Sequence, residues 1–206
     1  MKNQSKIMIT VLTPVLSRLN TKIEKLMLRR DSYLNSVLSL EIEYLEKEIR
    51  DRNSDQARDY LLSQLKAMPT KSMSIALDKK LITRIDTVCK KINVARDCWI
   101  NRILFFLAAE KAQLNAIGIT APPHESLSTN PLDAASELIF DPIFDCRDWI
   151  EKNSSSFYKW DLRNQLLVGM ACYISDSDLP STSCPEVDLL EALGASPNYG
   201  KDITCN

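Results

Sequence analysis

Apolar and polar residues alternate over two short stretches of the chain, Ile7, Ile9, Val11 and Met73, Ile75, Leu77. A period of two, rich in β-branched residues, predicts a short strand with one buried face in each place. The period changes at once afterwards. Val15, Leu19, Ile23 and Leu26 follow the first strand at helical spacing, and Leu81, Ile85, Val88, Cys89 and Ile92 follow the second. Pro14 stands near the start of the first of these helices, where its missing N–H costs nothing. The pattern breaks at Leu28–Arg30 and at Asn93–Ala95. Second helices are predicted from about Asp31 to Ile49 and from about Asp97 to Leu114, each opening on an aspartate suited to a helix N-terminus as a cap and against the macrodipole. Between the two halves of this pattern, Gln56–Met68 predicts a short helix that Pro69 ends before the second strand.

The two halves are copies of each other. At an offset of 66 residues and without gaps, Arg30-Asp31-Ser32-Tyr33-Leu34-Asn35-Ser36-Val37-Leu38 lies against Arg96-Asp97-Cys98-Trp99-Ile100-Asn101-Arg102-Ile103-Leu104, with identity at four positions. The same offset aligns Ile9 with Ile75, Arg18 with Arg84, Thr21 with Thr87 and Lys25 with Lys91. Matches in successive segments at one offset argue an internal repeat. Strand, helix, turn, helix in each copy, carried by Lys6–Val11, Ser72–Leu77 and the two Arg-Asp-x-(Tyr/Trp)-(Leu/Ile)-Asn segments, resembles the ribbon-helix-helix DNA-binding proteins of the MetJ/Arc/CopG type. The resemblance covers about residues 5–50 and 70–112.

That resemblance implies a mainly α fold with a short two-stranded antiparallel ribbon, here a tandem pseudo-dimer within one chain. It also implies that the ribbon enters the major groove of double-stranded DNA, which is wide enough to admit it. Base-reading residues would be those facing away from the core: Lys6, Met8 and Thr10 in the first copy, Ser72, Ser74 and Ala76 in the second. Lys6, Thr10 and the serines suit hydrogen bonds to bases; Met8 and Ala76 suit apolar contact with a thymine methyl. Phosphate contacts would fall to Arg29, Arg30 and Arg96 near the second helices and to Lys79 and Lys80 at the first helix of copy two. The family's usual Ser or Thr at the second-helix N-cap is replaced by Arg29 and Ala95. Tyr33 and Trp99 are expected in the core, and Asn35 and Asn101 in local helix hydrogen bonds.

Charge separates this half from the rest. Residues 1–111 carry 21 Lys and Arg against 13 Asp and Glu, and residues 112–206 carry 5 against 14, so a net +8 faces a net −9. A basic half suits a polyanion and the acidic half something else. Residues 1–112 are expected to form the DNA-binding domain, with 51–69 joining its copies, 113–131 a linker and 132–206 an acidic, mostly helical domain for a protein partner or self-association. Within it, Leu132–Lys152 is expected to be helical with a break near Asp141-Pro142, Phe157–Ile174 helical, and Val187–Leu193 a last helix.

Other chemistry finds few candidates. With 4 glycines, phosphate-cradling loops are nearly excluded. Six cysteines with no Cys-x-x-Cys spacing and a single histidine, His124, predict no metal and no cofactor. Asp145 and Asp148 fit a solvated helix face better than an acid–base pair, so no enzyme is expected. The run Ile103–Ala109 is too short for a membrane span, and Ile7–Leu12 lacks the features of a signal peptide, which points to the cytoplasm. A transcriptional regulator, probed against an antitoxin-like binder whose acidic half occludes a partner and against an adaptor using the ribbon only for assembly, are the readings left open.

Overall fold

The alternating stretches form strands because each can bury one face, and each needs a neighbour to satisfy its backbone. In the computed structural model, which describes residues 3–119, 141–153, 156–160 and 167–179, they find each other. Strand β1 (Gln4–Leu12) pairs antiparallel with β2 (Thr70–Asp78) as a two-stranded ribbon in the same chain. The register sets Lys6 opposite Ala76, Met8 opposite Ser74 and Thr10 opposite Ser72. Ile9, Val11, Met73, Ile75 and Leu77 are buried on the other face.

The pairing respects the repeat. An offset of 66 residues carries Met8 onto Ser74, and these two face each other, so a pseudo-twofold axis passes between them. Both ends of the ladder obey the same relation. The Thr13 N–H donates to the Pro69 carbonyl at 2.9 Å and the Lys79 N–H to the Asn3 carbonyl at 3.0 Å.

Helices α1 (Thr13–Lys25) and α2 (Arg30–Glu48) follow β1, and α4 (Lys79–Ile92) and α5 (Arg96–Ala108) follow β2; α3 (Asp55–Ala67) lies between the copies. Ser54 caps α3, accepting from the Ala57 N–H at 3.0 Å. Packing crosses between copies: α1 lies chiefly on α5, and α2 on β2 and α4. Neither copy therefore closes a core of its own. Leu34, Val37, Leu38, Ile42 and Leu45 of α2 meet Trp99, Ile100, Ile103 and Leu104 of α5 inside one continuous core. Every residue of α5 from Cys98 to Ala108 is buried, as a helix apolar on all sides must be.

The sequence expectation of one helix from Asp97 to Leu114 is corrected here. Helix α5 stops at Ala108, Ala109 is extended, and a capping box between Glu110 and Gln113 starts a separate helix α6 (Lys111–Ala116). A Glu three residues before a Gln is a restart signal that continuous apolar spacing obscures.

The described part of the acidic half lies against the first. Helix α7 (Phe144–Asn153) starts after the expected break at Asp141-Pro142. Residues 156–160 are irregular, with a bend at Phe157-Tyr158, and meet the stretch around Tyr173 through a single parallel bridge, Lys159 to Tyr173. Residues 167–170 form a 3-10 turn. The expectation of a helix over Phe157–Ile174 is thus corrected over its described residues. A buried apolar run reads alike as strand or helix, and this one is apolar because Phe157, Tyr158, Val168, Met170 and Ile174 complete the core. Gly169 permits the fit: a Cβ there would come within 2.7 Å of Met68 Cε and 2.9 Å of the Leu65 nitrogen. The buried Asn53 side chain ties the segment down, donating to the Cys172 carbonyl at 2.8 Å and accepting from the Ile174 N–H at 3.2 Å. The expected helices over 132–140 and Val187–Leu193 lie outside the described residues, as does His124. No helix among the described residues is long and apolar enough to cross a membrane.

Candidate nucleic-acid interface

A two-stranded ribbon has two open edges, and unpaired backbone groups along them invite further strands. Here side chains cover one half of each edge, Met8–Leu12 on β1 and Ser74–Asp78 on β2, by the same residues in each copy. On β2, the Arg30 guanidinium donates to the Ser74 carbonyl at 2.9 Å, Asp31 accepts from the Ala76 N–H at 3.2 Å, and Asn35 accepts from the Asp78 N–H at 2.8 Å. On β1, Arg96 donates to the Met8 carbonyl at 3.2 Å, Asp97 accepts from the Thr10 N–H at 3.0 Å, and Asn101 accepts from the Leu12 N–H at 2.9 Å. Each contact maps onto its counterpart by the 66-residue offset. Asn101, fully buried, also donates to the Thr10 carbonyl at 2.6 Å.

Three of the four residues identical between the segments 30–38 and 96–104 thus form an edge clamp, and the fourth, Leu38 or Leu104, is core. This corrects two sequence expectations. Asp31 and Asp97 cap no helix: the N-caps of α2 and α5 are Arg29 and Ala95, without side-chain cap bonds. The asparagines do more than bond locally, although Asn101 does donate to the Asp97 carbonyl at 2.8 Å. The identity of these residues between copies was the available signal; what it required was knowing that each helix lies beside the other copy's strand.

With one face of the ribbon on the core, the other is turned outward. Lys6, Met8 and Ser72 are exposed there, Met8 to 59%, and Thr10, Ser74 and Ala76 are half-buried by their neighbours. All six expected base-reading positions therefore share one face, as three cross-strand pairs. Of the expected phosphate contacts, Arg29, Lys79 and Lys80 are exposed at the starts of α2 and α4. Arg30 and Arg96 are half-buried and engaged with the strand edges. Arg30 also pairs with Asp31 at 3.0 Å, and Arg96 with Asp86 at 3.4 Å. Tyr33 is half-buried and Trp99 fully buried.

On the other side of the core lies a buried ionic cluster that the sequence reading missed. Arg147 of α7 pairs with Glu41 of α2 and, at 3.1 Å, with Asp141. The Tyr158 hydroxyl donates to Glu41 at 2.7 Å, and the Arg147 guanidinium stacks 3.6 Å from the centre of the Tyr44 ring. Burial pushes the Glu41 carboxyl up to about 7 against the opposing pull of Arg147. Burial likewise raises Glu48, which accepts from Ser156, to about 7. More than 100 residues separate Glu41 from Arg147, so no local pattern links them.

Among the described residues no group of His, Cys, Asp and Glu could hold a metal ion. Burial pushes the thiols of Cys89 and Cys98 up to about 12, which leaves them protonated and poor nucleophiles. Comparison with protein-family models, with curated proteins and with solved structures gives no match, so the site's reading rests on its own geometry.

Proposed function

We propose that this chain binds double-stranded DNA, laying the exposed face of the β1–β2 ribbon into the major groove as a tandem ribbon-helix-helix pseudo-dimer, and that it regulates transcription. One observation carries the reading. The ribbon is raised on a helical base, clamped along part of both edges, with one face turned away from the core, whose side chains stand as the pairs Lys6–Ala76, Met8–Ser74 and Thr10–Ser72. A two-stranded ribbon has the width the major groove admits. Exposed cations flank it, with Lys79 and Lys80 at one helix and Arg29 at another, where they suit phosphates.

The two half-ribbons differ, since the axis carries Lys6 onto Ser72 and Thr10 onto Ala76. The preferred site is therefore asymmetric rather than palindromic.

The test is selection of bound fragments from random duplex DNA by the full chain, repeated over a range of salt. Affinity is expected to fall by several powers of ten on a log–log salt plot. Lys6→Ala and Thr10→Ala are expected to change the selected sequence, each lost base contact costing roughly 1–3 kcal/mol. Arg29→Ala and Lys80→Ala are expected to weaken all sequences alike. A flat salt response, or unchanged selection with Lys6→Ala, would overturn the assignment.

A further inference from the structure

Copy two carries a cationic pocket that the repeat does not require. Arg52 from the stretch before α3, Arg58 of α3, Lys90 of α4 and Arg96 of α5 converge on a cavity of about 440 Å³ whose floor is the turn between α4 and α5; Asp86 is its one acidic lining residue. Two of these cations are already answered: Arg58 pairs with Asp59 at 3.1 Å, and Arg96 with Asp86 at 3.4 Å. Arg52 and Lys90 are exposed and have no ion-pair partner among the described residues.

The fold explains Arg96, which clamps the β1 edge as Arg30 clamps β2, but not the other three cations. The corresponding turn of copy one makes the same backbone bond, Leu28 N–H to the Ile23 carbonyl at 3.0 Å where copy two has Val94 N–H to the Cys89 carbonyl at 2.8 Å. Yet copy one has Glu24 where copy two has Lys90, and Met27 where it has Asn93. Arg52 and Arg58 come from the segment between the copies and have no counterpart at all. Like charges held together in a concavity raise the local potential for an anion. Two uncompensated cations suit a multiply charged one.

The geometry points to a binding site in this pocket for a small, multiply charged anion of the phosphate-monoester or pyrophosphate class, seated between Arg52 and Lys90 with Arg58 and Arg96 at its sides. Arginine offers such a group paired N–H donors, and lysine adds a point charge. The site stands independently of the DNA reading.

The test uses the full chain in chloride buffer at constant ionic strength, with inorganic phosphate or pyrophosphate as the probe and the thermal midpoint as the readout. Ligand that binds the folded state raises the midpoint saturably. Wild type is expected to show this response, and more strongly with pyrophosphate. The double variant Arg52→Gln, Lys90→Gln is expected to bind at least about tenfold more weakly, a loss of about 1.4 kcal/mol. The control Lys25→Gln, Lys66→Gln, which removes two exposed cations elsewhere, is expected to behave as wild type. No saturable response in wild type, or an equal loss in the control, overturns the site. Duplex DNA supplies the second arm. If wild type ignores pyrophosphate while the pocket variant loses DNA affinity, the cations serve the DNA backbone and the small-anion site is overturned. Saturable pyrophosphate binding without DNA binding upholds the pocket and removes the DNA reading.

Discussion

Among the residues identical in both copies, the Arg, Asp and Asn of each clamp hydrogen-bond the other copy's strand edge, and what each bond contributes depends on its burial. Asn101 supplies an acceptor to the N–H of Leu12, itself buried, and a donor to the Thr10 carbonyl. Removing it strands both, and a buried unsatisfied group costs about 1–3 kcal/mol. Asn101→Ala is therefore expected to lower unfolding stability by roughly 2–4 kcal/mol. Its counterpart Asn35 serves the N–H of Asp78, at the exposed end of β2. Water can replace that bond, so Asn35→Ala is expected to cost about 1 kcal/mol or less. Urea unfolding of the two variants measures the difference; equal costs would show that burial does not grade the clamp. The identities themselves were legible in the sequence. Their role was not, because an aspartate in a first helical turn reads as a cap until a strand edge is placed beside it.

Elements were legible where one period persisted. Both strands, α1, α2, α3 and α4 follow from alternation or helical spacing, and Pro69 and the turn residues mark their limits. The turns after α1 and α4 show the repeat holding backbone geometry while the residue changes. Met27 and Asn93 occupy equivalent positions with φ +52° and φ +54°. Asparagine tolerates that left-handed region, and here its side chain donates to the Asn53 carbonyl at 3.1 Å and to Asp55 at 2.9 Å. Methionine has no such compensation and is 94% exposed. Met27→Gly is expected to raise stability by about 0.5–1 kcal/mol by relieving the strained backbone. Asn93→Ala is expected to lower it. Thermal unfolding of the pair decides, and a loss on Met27→Gly would mean that the exposed methionine makes a contact the strain argument ignores.

For the whole molecule, the buried cluster of Glu41, Arg147, Tyr158 and Asp141 joins α2 to α7 and the chain beyond it. It makes stability depend on pH in an uncommon direction. Glu41 and Glu48 titrate near 4.5 in ordinary surroundings and about 7 when folded. Between those values the folded chain holds protons that the unfolded chain has released. Their contribution to stability is thus full below about pH 4.5, falls as the pH rises to about 7, and is level above. Glu41→Gln is expected to lessen the downward slope of the thermal midpoint across that window, leaving the part that Glu48 contributes. An unchanged slope in the variant would place the titration elsewhere.

The sequence by itself determined the repeat, the alternation of the strands, the helices that follow each, and which six side chains share the outer face of the ribbon. These are local or periodic properties, and side-chain direction is fixed by backbone period alone. Only the tertiary structure decided the rest. It set α1 on α5 and α2 on α4, so that each copy's Arg, Asp and Asn reach the other copy's strand. It laid residues 156–160 and 167–174 in irregular and 3-10 form across the core, where an apolar run is compatible with any backbone that buries it. It also brought Arg147 to Glu41 and Arg52 to Lys90. Those meetings depend on distances between residues far apart in the chain, which hydrophobic patterning does not encode.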